Sequence, residues 1–202
     1  LSYAFNIPAG GSASFVFAIP LHDRENEIAA EAATADPSGW FERKRAEARA
    51  FWMGKLAGIQ IDIPDAEFVD TLKANVAYIL INDDSFRLQP GSRNYDMSWM
   101  RDGSLTAAAL LRTGFTNEVK RYLNWMSRFI REDGWVPFIV NNRDEIVTHG
   151  WKEFDSQGQY AFALHEYFRF TGDREFLRDK TARLAKVVDF IHARRAERLT
   201  SA

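Results

Sequence analysis

The sequence predicts a mainly α-helical protein, and three observations support this. From residue 65 onward, apolar side chains recur at spacings of three and four, as on a helix with one buried face. The connections between these helical stretches alternate between long and short. Apolar residues near the start instead alternate at a period of two, as in a strand. We therefore expect a β segment at 1–21, a linker containing a helix at 22–64, and a helical domain at 65–202.

The β segment is expected to contain two strands. Phe15, Phe17 and Ile19 share one side at a period of two, and Pro8 to Gly11 in front of them is typical of a turn. A lone hairpin is marginal in water, so these strands are expected to belong to a sheet whose other strands precede residue 1. The predicted strands are 3–7 and 12–19.

Residues typical of helix N-caps and C-termini mark the ends of several predicted helices. Asp36, Asp65 and Asp173 stand where an N-cap is needed, and Gly114 and Gly172 stand where a helix ends. Residues 22–35 are Ala- and Glu-rich and indicate a linker or a loose helix. The predicted helices are 39–56, 66–81, 104–112, 117–130, 157–170 and 174–195.

The long connections, 82–103 and 131–156, alternate with the short ones, 113–116 and 171–173. Successive connections of an up-and-down helical stack lie at opposite ends, so both long loops are expected at one rim. Long structured loops in compact domains are commonly functional; the alternative is that these loops simply pack on neighbouring parts of the protein. The rim is expected to collect Arg87, Tyr95, Asp96, Trp99, Arg101, Asp102, Trp135, Asn141, Asn142, Trp151, Lys152, Glu153 and Asp155.

Composition excludes several classes of function. Hydrophobic residues make up 46% of the chain, enough for a core, and the net charge of -2 implies no nucleic-acid or anionic-membrane partner. The chain has no cysteine, which excludes disulfides and thiolate metal sites, and its histidines show no ligand spacing. No apolar run approaches the roughly 18–20 residues of a membrane span. We expect no metal and no cofactor.

The first long loop ends in a cluster of aromatic and charged residues. Tyr95 and Trp99 precede Arg101 and Asp102, just before a helix rich in Ala and Leu. Flat apolar rings stack on the C–H faces of a pyranose, so the cluster is typical of a sugar-binding floor. The alternative is that Asp102 only caps the helix that follows.

The second long loop ends in a similar cluster. Trp151, Glu153 and Asp155 alternate and would point the same way in an extended segment. An indole excludes water, and a desolvated carboxyl group stays protonated more easily and can donate to a leaving-group oxygen. The alternatives are that Asp155 or Ser156 caps the next helix and that Glu153 is a solvated loop carboxylate.

These motifs resemble those of the six-hairpin (α/α)6-toroid glycosidases, closest to the bacterial glucoamylase-like group of family 15, with trehalases and disaccharide phosphorylases as cousins. Tyr95-x3-Trp99-Met-Arg101-Asp102 is similar to the aromatic-W-x-R-D loop of that group. Trp151-Lys152-Glu153, followed by a polar stretch and a helix, is similar to its W-E-E segment, with Lys152 in place of the first Glu. The order of β segment, linker helix and helical domain is also that of the bacterial members.

The resemblance implies a glycoside hydrolase that cleaves an α-glucosidic bond of a carbohydrate substrate with inversion. Residues 1–21 would end a β-sandwich, and 65–202 would form the first hairpins of the toroid. Glu153 or Asp155 would be the general acid. The general base would lie in the remainder of the same polypeptide, so the chain alone is expected to be inactive. The substrate-binding residues would be Tyr95, Trp99, Arg101, Asp102, Trp151 and Lys152.

Two alternatives stay open at this point. A disaccharide phosphorylase on the same scaffold would use phosphate in place of the attacking water. A non-catalytic helical interaction module would use the rim loops to hold a protein partner.

Overall fold

The computed structural model describes residues 2, 4–19, 25–33, 36–148 and 153–199. The chain divides into two compact units, residues 1–58 and 59–202. It is mainly helical, as predicted, and within the described ranges no helix is both long and apolar enough to cross a membrane. The helices are α1 Glu25–Ala32, α2 Pro37–Leu56, α3 Ala66–Ile81, α4 Met100–Arg112, α5 Thr116–Met126, α6 Ser156–Thr171 and α7 Arg174–Arg198. The short strands are β1 Asp83–Asp84, β2 Arg87–Leu88, β3 Ser98–Trp99 and β4 Ile139–Val140.

The first unit begins with a chain reversal. Gly10 has a φ of 75°, and the Gly11 N–H donates to the Pro8 carbonyl at 2.9 Å, which forms the predicted turn. The Phe5 and Phe15 rings lie 4.8 Å apart between centroids, so the two arms contact each other. No strand pairing occurs among the described residues of 4–19, and a strand requires a hydrogen-bonded neighbour. The two predicted strands and their sheet stay predictions.

The linker contains two helices. The carboxylate of Asp36 caps α2 by accepting the Gly39 N–H at 2.9 Å, as predicted, and Pro37 occupies the first turn. The residues expected to be a linker or loose helix contain α1. A salt bridge of 2.6 Å between Lys44 and Glu31 links α1 to α2.

In the second unit, α4 and α6 run parallel. Three hydrogen bonds join them along their length, and the bonded residues differ in number by 54 or 55 each time, which requires the two helices to point the same way. Ser104 and Ala108, which are small and buried, lie on the same face of α4 as Arg101 and Arg112 and let the two helices approach closely. The bonds join Arg101 to Asp155, Ser104 to Gln159, and Arg112 to Glu166.

Helices α5 and α7 form a second parallel pair. Lys120 donates to Asp173 at 2.8 Å, and Lys180 donates to Asn124 at 2.7 Å, with sequence separations of 53 and 56 residues. The loop before β4 packs tightly on α7, since a Cβ on Gly134 would lie 2.0 Å from the Lys186 carbonyl oxygen. Two successive hairpins, α4–α5 and α6–α7, therefore stack with the same orientation.

Helix α4 begins four residues earlier than predicted, at Met100. The prediction that Asp102 caps this helix is wrong, because Asp102 lies in the first turn and Trp99 occupies the N-cap position without a side-chain cap bond. The Met100 N–H instead donates to the Phe138 carbonyl at 2.9 Å, because β3 leads straight into α4 and pairs antiparallel with β4. Phe138 is distant from Met100 in the sequence, so local capping preferences do not predict this hydrogen bond.

The alternation of long and short connections is confirmed. Only residues 113–115 separate α4 from α5, and Gly172 and Asp173 separate α6 from α7, whereas 82–99 and 130–155 are long. Gly114 and Gly172 have φ values of 89° and 65°, which favour glycine at a helix end.

Asp173 ties three helices together at the short-turn end. Its carboxylate accepts hydrogen bonds from Lys120 at 2.8 Å, from the Tyr167 hydroxyl at 3.0 Å and from the Phe176 N–H at 3.0 Å. The bond from Lys120, then that from Phe176, lower the pKa of Asp173 to about 2. The folded protein therefore stabilises the ionised form of the Asp173 carboxyl group.

Replacing Asp173 with Asn should change the acid stability of the chain. The folded pKa lies below the unfolded value of about 3.9. The ionised Asp173 therefore stabilises the fold above about pH 4, and this contribution is lost as pH falls toward 2. We expect Asp173→Asn to lower the midpoint of urea unfolding at pH 7 and to flatten the loss of stability between pH 4 and 2. Asp189→Asn, an exposed site on α7, is the control, and equal acid profiles for all three proteins would contradict this assignment.

Candidate functional site

The two predicted clusters meet at Arg101. Its Nε donates to Oδ2 of Asp155 at 2.6 Å, and its Nη2 donates to Oε2 of Glu153 at 2.6 Å. The side chains stay partly open to solvent, with 54% of Arg101, 32% of Glu153 and 36% of Asp155 exposed. The hydrogen bond to Asp155 is the main reason why the pKa of Arg101 is raised. One guanidinium thus bridges two carboxylates that a solute can reach.

The parallel helices explain why these groups meet. Arg101 lies in the first turn of α4, while Glu153 and Asp155 lie just before the first turn of α6. Because α4 and α6 run side by side in the same direction, their N-termini lie at the same end. The positive ends of the two helix dipoles favour the carboxylates there. Asp155 occupies the N-cap position of α6 but makes no side-chain cap bond, since its carboxylate binds Arg101.

Trp99 lies directly before α4, two residues from Arg101. It lies in β3 opposite Ile139 of β4 and packs against the buried apolar cluster that Ile139 shares with Trp135, Phe138 and Phe190. The Tyr95 ring lies 5.8 Å from the Trp99 ring and is tilted by 49°, with 60% of Tyr95 exposed. Tyr95 therefore offers an accessible aromatic face beside a fixed Trp99.

The remaining predicted site residues are Asp102, Trp151 and Lys152. Asp102 is half-buried in the first turn of α4, where its charge also raises the pKa of Arg101, after the larger effects of Asp155 and Glu153. Trp151 and Lys152 lie outside the described residues, so their predicted contacts with a sugar stay predictions.

Several rim residues have structural roles that the sequence analysis did not find, and Asp144 is the main one. It accepts hydrogen bonds from Arg87 at 2.9 Å, from the Trp125 indole at 3.0 Å and from Arg128 at 3.2 Å. Burial raises the pKa of Asp144, but the bonds from Trp125 and Arg87 outweigh it and leave the pKa lowered. Asp144 has a φ of 60°. The Asn141-Asn142 sequence before it is typical of a turn and is the sequence feature that could have indicated a structural role for Asp144.

Asp144 joins the two long loops, because Arg87 belongs to the first loop and Asp144 to the second. The base of the rim is therefore held by the bond between Asp144 and Arg87, a residue expected at the rim whose role here is structural. Asn141 is also engaged, since its side-chain oxygen accepts the backbone N–H groups of Arg143 and Glu145. Within the described ranges, no group of three His, Asp or Glu side chains is arranged to hold a metal ion.

An open groove lies beside Asp155. Its volume is about 590 Å³, and its walls include the exposed rings of Phe154 and Phe162 and the side chain of Ile191. The Asp155 side chain therefore lies next to apolar surface as well as next to Arg101.

Two curated proteins are similar to parts of this chain. Trehalase 1 of Sulfolobus acidocaldarius is 24% identical over 127 residues, which cover 50% of this chain and 23% of that protein. An uncharacterised glycosyl hydrolase of Methanocaldococcus jannaschii is 28% identical over 100 residues, covering 48% of this chain and 16% of the relative. The chain is similar to glycoside hydrolases. It spans less than a quarter of the length of either relative, and these similarities suggest a glycosidase-related family.

No protein-family model matches the chain. No solved structure matches it either.

Removing the carboxylate of Asp144 should destabilise the second unit. Asp144→Ala leaves the Trp125 indole and the mostly buried Arg87 without this acceptor, and an unsatisfied buried donor costs about 1–3 kcal/mol. We expect a loss of that size in urea unfolding, with a red shift in tryptophan emission as Trp125 becomes hydrated. Asp96→Ala in the exposed part of the first long loop is the control. A loss of stability no larger than in this control would show that Asp144 does not join the loops.

Proposed function

We propose that this chain is part of a glycoside hydrolase that cleaves an α-glucosidic bond of an oligo- or polysaccharide with inversion. The observation that carries the proposal is the single guanidinium of Arg101 between the carboxylates of Glu153 and Asp155, at a rim that also presents Tyr95. General acid catalysis at a glycosidic oxygen requires a positioned carboxyl group, while an aromatic face and a guanidinium can bind the sugar ring and its hydroxyls. The similarity to a trehalase and to a glycosyl hydrolase supports the same reaction class.

The packing of the hairpins supports a partial (α/α)6 toroid of the glucoamylase-like kind. In such a toroid the inner helices run parallel to one another, and so do the outer helices. The parallel pairs α4–α6 and α5–α7 have this relation. Phe162, Val188 and Ile191 stay exposed on α6 and α7, as expected of faces that further helices of the same polypeptide would cover. On this proposal, 1–21 end a β-sandwich and 22–64 form the linker.

The proposal assigns the general acid to Glu153. Asp155 makes the bond that dominates the electrostatics of Arg101, so we assign Asp155 to the positioning of that side chain. Among the described residues, Glu153 accepts a hydrogen bond from Nη2 of Arg101, and we take it as the carboxylate that leaves Arg101 more readily. It would donate its proton to the leaving-group oxygen, while a water activated by a carboxylate elsewhere in the polypeptide attacks the anomeric carbon from the opposite face.

Substrate binding has to disturb the observed salt bridges for this to occur. A carboxylate paired with a guanidinium accepts charge-assisted hydrogen bonds and does not donate a proton. Sugar hydroxyls that bind Arg101 would compete with Glu153, and the unpaired carboxylate would take up a proton from water before donating it to the glycosidic oxygen. Asp102, in the same turn of α4 as Arg101, is assigned to hydroxyl binding together with Trp99, Trp151 and Lys152.

The acid assignment can be tested in the full-length enzyme. Glu153→Gln should lower kcat on a natural glycoside by about 10²–10⁴-fold. It should affect a glycosyl fluoride much less, because that leaving group needs no proton. Asp155→Asn should lower kcat/KM on both substrates alike, because it misplaces Arg101. Glu175→Gln, exposed in the first turn of α7 at the short-turn end, is the control.

Equal losses for both substrates in Glu153→Gln would remove Glu153 as the acid. Cleavage that occurs only when phosphate is added would identify a phosphorylase instead. Cleavage of a glycoside by the 202-residue chain alone would contradict the proposal that the general base lies elsewhere.

A further inference from the structure

The first turn of α4 rests directly on a tyrosine of α5. A Cβ placed on Gly103 would lie 2.0 Å from the hydroxyl oxygen of Tyr122 and 2.5 Å from its Cζ. Ordinary contacts of a Cβ fall at 3.4–4 Å, so no larger residue fits without movement. Gly103 lies inside a regular helix, so its role here is space and not backbone freedom.

Tyr122 is itself fixed in place. Its side chain is fully buried, its hydroxyl lies 3.8 Å from Sδ of Met100, and its ring lies 6.2 Å from that of Trp125. Burial raises the pKa of the phenol and a hydrogen bond with Ser98 opposes this, so the group stays neutral near pH 7. A buried neutral phenol between two helices acts as a rigid spacer.

The first turn of α4 has no side-chain cap, and the Met100 N–H bonds to the Phe138 carbonyl in the neighbouring strand. On the α6 side, Ser104 donates to Gln159 at 2.6 Å. The Tyr122 phenol is the contact that limits how closely this turn approaches α5. Arg101 projects from this same turn to both carboxylates.

We propose that Gly103 and Tyr122 are positioning residues that set the place from which Arg101 reaches Glu153 and Asp155. Because residue 103 has no side chain, the first turn of α4 can lie against the phenol, in the position from which Arg101 makes both 2.6 Å bonds. The consequence for catalysis rests on the proposed function, whereas the consequence for Arg101 does not.

We expect a large effect of a side chain at position 103 on catalysis, because a small displacement of Arg101 is enough to reduce the rate. A methyl group at 103 would be 1.4 Å short of the nearest ordinary contact distance to the Tyr122 oxygen, 2.0 against 3.4 Å. Close-packed interiors relieve such overlap by moving the backbone or a side chain. A misplacement of about 1 Å at a catalytic group can cost about a hundredfold in rate.

The first experiment measures Arg101 directly in the 202-residue chain by side-chain NMR. In the native protein, the Arg101 Nε–H bound to Asp155 should exchange slowly with water and give a resolved signal. Gly103→Ala should abolish this signal. The double variant Gly103→Ala/Tyr122→Leu, which removes both Cζ and the hydroxyl, should restore it. Gly158→Ala on α6 is the matched control, because a Cβ there meets nothing within 4 Å.

Restoration is the decisive result, because a merely destabilised helix would be made worse by a second truncation in the core. An Arg101 signal that survives in Gly103→Ala, or one that Tyr122→Leu fails to restore, would overturn the proposal. If Gly103→Ala does not fold, the double variant still decides, since it must regain both the fold and the signal.

The second experiment measures glycoside cleavage by the same variants of the full-length enzyme. Gly103→Ala should lower kcat/KM about a hundredfold, and the double variant should regain at least tenfold of this. A restored Arg101 signal without any glycoside cleavage by the native enzyme would leave the positioning intact and refute the proposed function. Cleavage that ignores Gly103→Ala while the NMR signal is lost would refute the link between Arg101 and catalysis.

Discussion

The close parallel packing of α4 against α6 is the constraint on which the rest of the second unit depends. The small buried residues Ser104 and Ala108 lie on the α6 side of α4, and hydrogen bonds at both ends keep the helices in register. A parallel arrangement puts both N-termini at one end. A long loop leads into each of these helices, so the residues at the ends of the two loops lie next to each other.

The two ends of the helical layers differ in how completely their charges are paired. At the short-turn end, Asp173 accepts three hydrogen bonds and the buried Glu166 accepts bonds from Arg112 and Arg169, so these groups are committed to the fold. At the long-loop end, Arg101 and its two carboxylates keep between 32% and 54% of their side-chain surface exposed. Partly solvated charges can exchange a protein partner for a ligand at little cost, whereas buried paired ones cannot.

Charged and aromatic residues in long loops are not all functional candidates. Asp144, Arg87 and Asn141 satisfy one another and the backbone of their own loops, and Trp135 is buried in an apolar cluster. These residues make the long loops rigid. Their role is distinguished from that of Glu153 by where their hydrogen bonds go, which composition alone does not reveal.

The sequence by itself determined the mainly helical fold, the caps at Asp36, Asp65 and Asp173, and the alternation of loop lengths. These features depend on local periodicity and on side chains that bond to backbone within a few residues. Only the tertiary structure decided that α4 starts at Met100 and that Tyr122 fills the space above Gly103. Such features arise from contacts between residues far apart in the chain, whose energies outweigh local preferences and leave no mark at a fixed sequence spacing.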